Sequence, residues 1–157
     1  MRLLVFFLLT LTVFAQKYTG PMPEKPDMLY IVQADNLVPT EATTAQEQKG
    51  KKKDETTYFV PGVSSSARTP LASPIFLVKV KDLAPEKLEL YKLEVKNGRR
   101  EITISTAKHA RNPEAVRVDV KKLGDDLVRI EVGASLTKGQ YSFTPAGSND
   151  VFCFEVF

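Results

Sequence analysis

The stretch that decides the fold class is VRVDVKKLGDDLVRIEV, residues 116–132. Valine or isoleucine takes alternate positions near both of its ends, and charged residues take the positions between them. Successive side chains of an extended strand point to opposite faces, so this pattern predicts two strands that each have one buried and one solvated face. Gly124-Asp125-Asp126 is typical of a turn. The stretch therefore predicts an antiparallel hairpin.

The rest of the chain repeats this pattern at short intervals. Further strands are predicted over 29–32, 56–60, 75–80, 101–105 and 151–157, and a mixed strand over 41–48. Asn97-Gly98 predicts a two-residue type I′ turn, because both central positions of that turn require a positive φ. Seven to nine strands at this spacing predict one all-β domain, a single antiparallel β-sandwich.

One segment, 87–96, changes the phase of its apolar positions. Leu88 and Leu90 lie on even positions, whereas Leu93 and Val95 lie on odd ones. Either a β-bulge near Tyr91-Lys92 shifts the phase, or Asp82-Leu83-Ala84-Pro85 caps one helical turn that ends before a strand begins near Leu90. We favour the short turn.

The first 27 residues predict export. Met1-Arg2 precedes an apolar run over 3–14, and Val13 and Ala15 stand where a signal peptidase reads small or apolar residues, so 1–15 is predicted to be a signal peptide. Residues 16–27 are polar and proline-rich and predict an extended leader, which leaves 28–157 as the domain. The expected location is periplasmic or extracellular, with no membrane-spanning segment after cleavage.

Composition limits the partners. The formal net charge of the chain is +3, which is below the basic excess typical of nucleic-acid binders, so no nucleic-acid partner is expected. Cys153 is the only cysteine, so no intramolecular disulfide can form. An unidentified protein or glycan is the expected partner of a monomeric domain.

The segment LTKGQYSF, Leu136 to Phe143, resembles the tyrosine corner of immunoglobulin-like and fibronectin-type-III-like domains. The resemblance implies an exported bacterial sandwich domain of that kind, of unassigned role. It also implies a structural role for Tyr141, whose ring would be buried and whose hydroxyl would bond to backbone a few residues upstream. The cysteine pair and core tryptophan of antibody domains are missing.

The sequence offers no recognisable catalytic set. Proton transfer in a hydrolase triad or a Cys-His dyad needs a histidine, and His109 is the only one. Cys153 lies between two phenylalanines, where a buried structural thiol is expected. No second histidine or cysteine stands at ligand spacing, so no metal, no cofactor and no catalytic residue is predicted.

Surface binding is the remaining chemical hypothesis. The lysine cluster at 49–53 predicts the charged tip of a hairpin, which either keeps the protein soluble or contacts an anionic surface. Arg99 and Arg100 follow the Asn97-Gly98 turn and are expected to face solvent. The candidate surface-binding residues are Lys49, Lys51, Lys52, Lys53, Tyr58, Arg99 and Arg100, and the candidate binding loops are 49–53, 63–68 and 107–112.

The favoured function is a secreted or periplasmic, non-catalytic binding module. The alternatives are an envelope assembly or structural component, a small outer-membrane β-barrel ending in Phe157, and a carboxylate-dependent hydrolase. The short strands, and the lipid-facing positions that Asn149 and Glu155 would take, disfavour the barrel. Glycan binding requires Tyr58 and Tyr91 to be exposed as an aromatic platform.

Overall fold

A computed structural model describes residues 18–157 of the chain, so the predicted signal peptide lies outside the described residues. Within that range it has thirteen strands and one 3₁₀ turn, Pro85–Lys87. The strands are β1 Leu29–Gln33, β2 Asn36–Pro39, β3 Glu41–Thr44, β4 Gln46–Lys49, β5 Glu55–Pro61, β6 Arg68–Thr69, β7 Ile75–Lys79, β8 Leu88–Lys96, β9 Arg99–Ser105, β10 Val118–Lys122, β11 Leu127–Val132, β12 Gly139–Pro145 and β13 Asp150–Val156.

The all-β class is confirmed, but the predicted count of seven to nine strands is too low. The additional strands are short: β2, β6, and the separate halves β3 and β4 of the mixed stretch. A strand of two to four residues has at most two side chains on each face, which is too few to produce a detectable alternation. Among residues 18–157, no helix has the length and apolar character required to cross a membrane.

The strands form two sheets. The smaller has the order β10-β11-β7-β1-β2, and the larger has the order β3-β13-β12-β8-β9-β5-β4, with β6 parallel to β13. The hairpin predicted from residues 116–132 is confirmed, with Val120 opposite Ile130, although its first strand begins at Val118.

The two sheets contact each other through a main core. Phe76 on β7 makes edge contacts with Phe143 on β12 and Phe154 on β13, at ring-centroid distances of 4.9 and 5.0 Å. Both sheets contribute fully buried residues to this core, including Leu29, Ile31, Val78, Ile130, Leu90, Phe143 and Phe154. Burial of these apolar side chains is the main source of stability available to a chain without disulfides.

The larger sheet curls back on itself into a half-barrel. β3 and β4 are separated in sequence only by Ala45, yet they lie at opposite ends of the strand order. β3 pairs with β13, whereas β4 pairs with β5. The curl encloses a second core of buried residues on the face that points away from the smaller sheet: Ala45, Val60, Leu93, Val151 and Cys153.

These two cores explain the change of phase in 87–96. The favoured helical turn is present at Pro85–Lys87, and β8 pairs with β12 in unbroken register from Leu88 to Leu93, without a bulge. Leu88 and Leu90 enter the main core, whereas Leu93 enters the second core on the opposite face. When one part of a strand is buried on one face and another part on the opposite face, its apolar residues change from even to odd positions along the strand.

The predicted Asn97-Gly98 turn is also confirmed. Asn97 has φ 52° and Gly98 has φ 73°, and Lys96 pairs with Arg99 across the turn. Asparagine and glycine tolerate this left-handed backbone better than other residues, so the dipeptide fixes the register of β8 and β9.

The segment before β1 is anchored to the smaller sheet. Pro23 is buried and Pro26 forms a bridge to Lys79. The Asp27 carboxylate accepts hydrogen bonds from the backbone N–H groups of Lys81, Asp82 and Leu83 at 2.8 to 3.1 Å. The contacts with the domain therefore begin before residue 28, where the sequence predicted the domain to start.

Candidate functional site

The two ends of the half-barrel differ, and one of them is closed by a buried ion pair. Arg100 is only 1% exposed, and its Nη1 and Nη2 donate to the two carboxylate oxygens of Glu41, each at 2.8 Å. The same guanidinium donates to the backbone carbonyls of Pro61 and Gly62. Because the contact joins β3 to β9 and to the end of β5, it links strands from opposite ends of the sheet order.

The ion pair also sets the charge state of Glu41. Burial alone would raise the pKa of this carboxyl, but hydrogen bonds from the Arg100 guanidinium and from the backbone N–H of Ser66, together with the positive charge of Arg100, outweigh burial and hold the pKa below its ordinary value. Glu41 is therefore ionised at neutral pH. The expectation that Arg100 faces solvent is wrong, because alternate residues of β9 point to opposite faces and Arg100 lies on the enclosed one.

Residues 63–68 cover the closed end. The backbone N–H of Ser65 donates to the side-chain oxygen of Gln140 at 2.9 Å, and the Ser65 hydroxyl donates to the carbonyl of Cys153 at 3.1 Å. Ser65 and Ala67 are 3% and 1% exposed. This loop was one of three candidate binding loops, but its central residues are occupied by contacts within the domain.

Cys153 lies inside the half-barrel, between the closed and open ends. It is fully buried, and burial raises the pKa of its thiol above the ordinary value, in spite of a hydrogen bond to Ser142 and the nearby charge of Arg100. A thiol held protonated away from water is a poor nucleophile. The sequence interpretation of Cys153 as a structural residue agrees with this environment.

We therefore expect Cys153 to be protected from thiol reagents in the folded protein. In native buffer at pH 8, Ellman's reagent should label less than about a tenth of the thiol over minutes, because labelling requires the core to open. In 6 M guanidinium chloride, labelling should be complete within seconds. Fast and complete labelling without denaturant would contradict the burial of Cys153.

The other end of the half-barrel opens to solvent as a groove of about 430 Å³. Tyr58 on β5 and Tyr91 on β8 line it, and both rings are half-buried. Leu93, Ile102 and Ile104 supply further apolar lining. The two tyrosines that glycan binding required to be exposed, which stand 33 positions apart in the sequence, thus belong to one groove.

Polar groups border the groove at fixed positions. The Tyr91 hydroxyl donates to Glu89 at 3.1 Å, and the side-chain amide of Asn149 donates to Glu47 at 2.6 Å. Burial, together with the hydrogen bond to Glu89 and its negative charge, raises the pKa of Tyr91, so its hydroxyl keeps its proton at neutral pH. An apolar surface with a few convergent polar groups is typical of a small-ligand site.

Comparisons give no relative to guide the assignment. No family model, no curated protein and no solved structure matches the chain. Within residues 18–157, no group of three histidine, cysteine, aspartate or glutamate side chains is placed to hold a metal ion. The groove and the exposed surface are therefore the features that indicate a function.

The remaining sequence candidates occupy two surfaces. Lys49, Lys51, Lys52 and Lys53 are exposed where β4 turns into β5, as the sequence predicted. Arg99 lies on the outer face of the sheet, where its guanidinium stacks on Phe59 at 4.1 Å from the ring centroid and bonds to Glu101 and Gln48. These contacts already use the planar face and two donors of Arg99.

Tyr141 shows the contact that the resemblance implies. Its ring is 2% exposed, and its hydroxyl donates to the backbone carbonyl of Thr137 at 2.8 Å. The phenol thus ties the turn before β12 to the main core.

Sequence reasoning missed several residues of the site. Glu41, the partner of Arg100, and the groove residues Glu47, Glu89 and Asn149 carry no motif. The only available signal was the position of Glu47, two residues before Lys49 in a strand whose partner strand contains Tyr58.

Proposed function

We propose that this protein is an exported, non-catalytic domain with an immunoglobulin-like sandwich fold that binds a neutral carbohydrate in the groove between Tyr58 and Tyr91. The observation that carries the proposal is the placement of both tyrosines in one open groove with polar side chains at its border. The buried hydroxyl contact of Tyr141 supports the sandwich assignment. The predicted signal peptide supports export.

The chemistry of the groove favours a hydroxylated, uncharged ligand. Aromatic rings offer flat apolar surfaces for the C–H faces of sugar rings, and carboxylates and amides bond to sugar hydroxyls. Glu47 and Glu89 would repel an anionic ligand. If a purely apolar ligand displaced water from the groove, these carboxylates would lose hydrogen bonds to water and gain none from the ligand.

The same contacts position the two groove carboxylates for binding. Each groove carboxylate already has a neighbouring side-chain donor, Asn149 for Glu47 and Tyr91 for Glu89. These contacts hold both carboxylates at the border of the groove, where they can accept hydrogen bonds from ligand hydroxyls.

We expect Tyr58→Ala and Tyr91→Ala each to weaken carbohydrate binding about tenfold, since each removes an aromatic contact worth about 1 to 1.5 kcal/mol. The measurement is isothermal titration calorimetry with a panel of neutral hexasaccharides with glucose, xylose and mannose backbones. The panel identifies the sugar, and the variants test the groove.

The matched control is Tyr18→Ala, because the Tyr18 hydroxyl bonds to the carbonyl of Pro21 in the segment before β1, outside the groove. The affinity of the Tyr18→Ala variant for the oligosaccharide should equal that of the unchanged protein. If no oligosaccharide of the panel binds, or if all three tyrosine variants bind equally well, the proposed function is wrong.

A further inference from the structure

Two of the three candidate binding loops, 49–53 and 107–112, lie side by side at the open end of the half-barrel. The backbone N–H of Thr106 donates to the carbonyl of Asp54 at 2.8 Å, which holds the segment after β9 against the turn between β4 and β5. Asn112 clamps the second loop, since its side chain accepts from the N–H of Ser105 and donates to the Ser105 carbonyl, both at 2.8 Å. We refer to residues 49–55 and 106–112 together as the basic tip.

The basic tip concentrates the positive charge of the protein. It carries six lysine or arginine side chains against two carboxylates, an excess of four charges, whereas the whole chain has a net charge of +3. Among the ion pairs formed within residues 18–157, only one involves a cation of the tip, Lys52 with Glu55 at 3.4 Å. The other five cations are exposed, without a carboxylate partner: Lys49, Lys51, Lys53, Lys108 and Arg111.

The tip is concave, and one of its lysines lies beside the groove. A cleft of about 520 Å³ lies between the two loops, lined by Lys52, Lys108, His109 and Arg111 together with Asp54 and Glu55. Lys49 stands two residues beyond the groove residue Glu47 on the same strand and the same face, a rise of about 7 Å along β4. A polymer chain in the groove can therefore reach the tip within one or two sugar units.

We propose that the basic tip binds the anionic groups of an acidic polysaccharide whose neighbouring uncharged portion occupies the Tyr58 and Tyr91 groove. The choice of a carbohydrate rests on the proposed function of that groove. The tip itself favours a hydrophilic polyanion over the alternatives. Its residues include no large apolar side chain that would anchor a membrane-bound loop, and no phenylalanine, tyrosine or tryptophan ring on which a nucleic-acid base would stack.

The test compares two polymers with one backbone: a polygalacturonate in which acid blocks alternate with methyl-esterified blocks (the acid form), and the fully methyl-esterified polymer (the ester), which carries no charge. At low ionic strength, the unchanged protein should bind the acid form at least about tenfold more tightly than the ester, and 0.5 M salt should remove most of that difference. The triple variant Lys51→Gln/Lys53→Gln/Lys108→Gln should also abolish the difference. The control Lys25→Gln/Lys122→Gln/Lys138→Gln, with the same change of charge on exposed lysines elsewhere, should preserve it.

The outcomes separate this inference from the proposed function. If neither the ester nor any neutral oligosaccharide of the panel binds, while the acid form binds and depends on the tip lysines, the groove proposal fails and anion binding by the tip stands. If both triple variants behave alike, or the two polymers bind equally well, the tip proposal is wrong. It is also wrong if vesicles of phosphatidylglycerol or a single-stranded thymidine oligonucleotide bind to the tip more tightly than polygalacturonate does.

Discussion

Replacing Phe76 with alanine is expected to lower the free energy of unfolding by about 3 to 5 kcal/mol. Phe76 is fully buried, and it is the residue of the smaller sheet whose ring contacts both Phe143 and Phe154 of the larger sheet. The substitution removes the transfer free energy of the ring and leaves a cavity that the surrounding strands can fill only in part. Equilibrium unfolding in urea, followed by circular dichroism, measures the change.

Phe157→Ala is the matched control for the same change of residue type. Phe157 is 46% exposed and packs under the guanidinium of Arg68 at 4.5 Å from the ring centroid. Its loss should cost less than about 1 kcal/mol. Equal effects of the two substitutions would contradict the packing of the two sheets through Phe76.

Replacing Glu41 with alanine is expected to cost about 3 kcal/mol, because it leaves the buried guanidinium of Arg100 with only the carbonyls of Pro61 and Gly62 as partners. Glu94→Ala, which removes an exposed partner of Lys96, is the control and should cost less than about 1 kcal/mol. The double variant Glu41→Leu/Arg100→Met should recover most of the lost stability, since removal of both charges also removes the cost of burying them.

The same ion pair predicts a dependence of stability on pH. The pKa of Glu41 is lower in the folded state than its ordinary value of 4.5, so its contribution is fully present above about pH 4.5 and is lost as the pH falls through the folded value. Asp27 and Glu155 also have lowered pKa values and add to this acid dependence. Glu41→Gln should therefore reduce the loss of stability between pH 5 and pH 3 without abolishing it. An unchanged slope would show that the pair does not close the half-barrel.

Patterns local in sequence predicted the local structure well. The alternation in residues 116–132 predicted a hairpin, and Asn97-Gly98 predicted the turn between β8 and β9, because the determinants of both lie within a few residues. The burial of Cys153 was also predictable, since its neighbours on β13 are phenylalanines. For the hairpin and the turn, the side chains that decide the structure are adjacent in the chain, whereas the thiol of Cys153 is enclosed by Ala45, Val60 and Leu93, which are distant in sequence.

The half-barrel was not predictable from the same patterns. Arg100 and Glu41 are 59 residues apart. Nothing in the sequence indicates that Arg100 points into the half-barrel and that Arg99 lies on the outer face of the sheet. Which face is enclosed depends on the separation of β3 from β4 at Ala45 and on the pairing of each with a different strand. The groove residues Glu47, Glu89 and Asn149 come together only through that curl, so sequence reasoning could name Tyr58 and Tyr91 but not their neighbours.

Nuclear magnetic resonance can map the carbohydrate-binding surface of the protein directly. The isotope-labelled protein is titrated with the tightest-binding neutral oligosaccharide, and the shifts of its amide signals are followed. We expect the largest changes at Tyr58, Tyr91, Ser142 and Asn149, with little change in the smaller sheet. Changes centred on β1, β2 or β10, or no changes with any oligosaccharide, would contradict a carbohydrate site in the half-barrel groove.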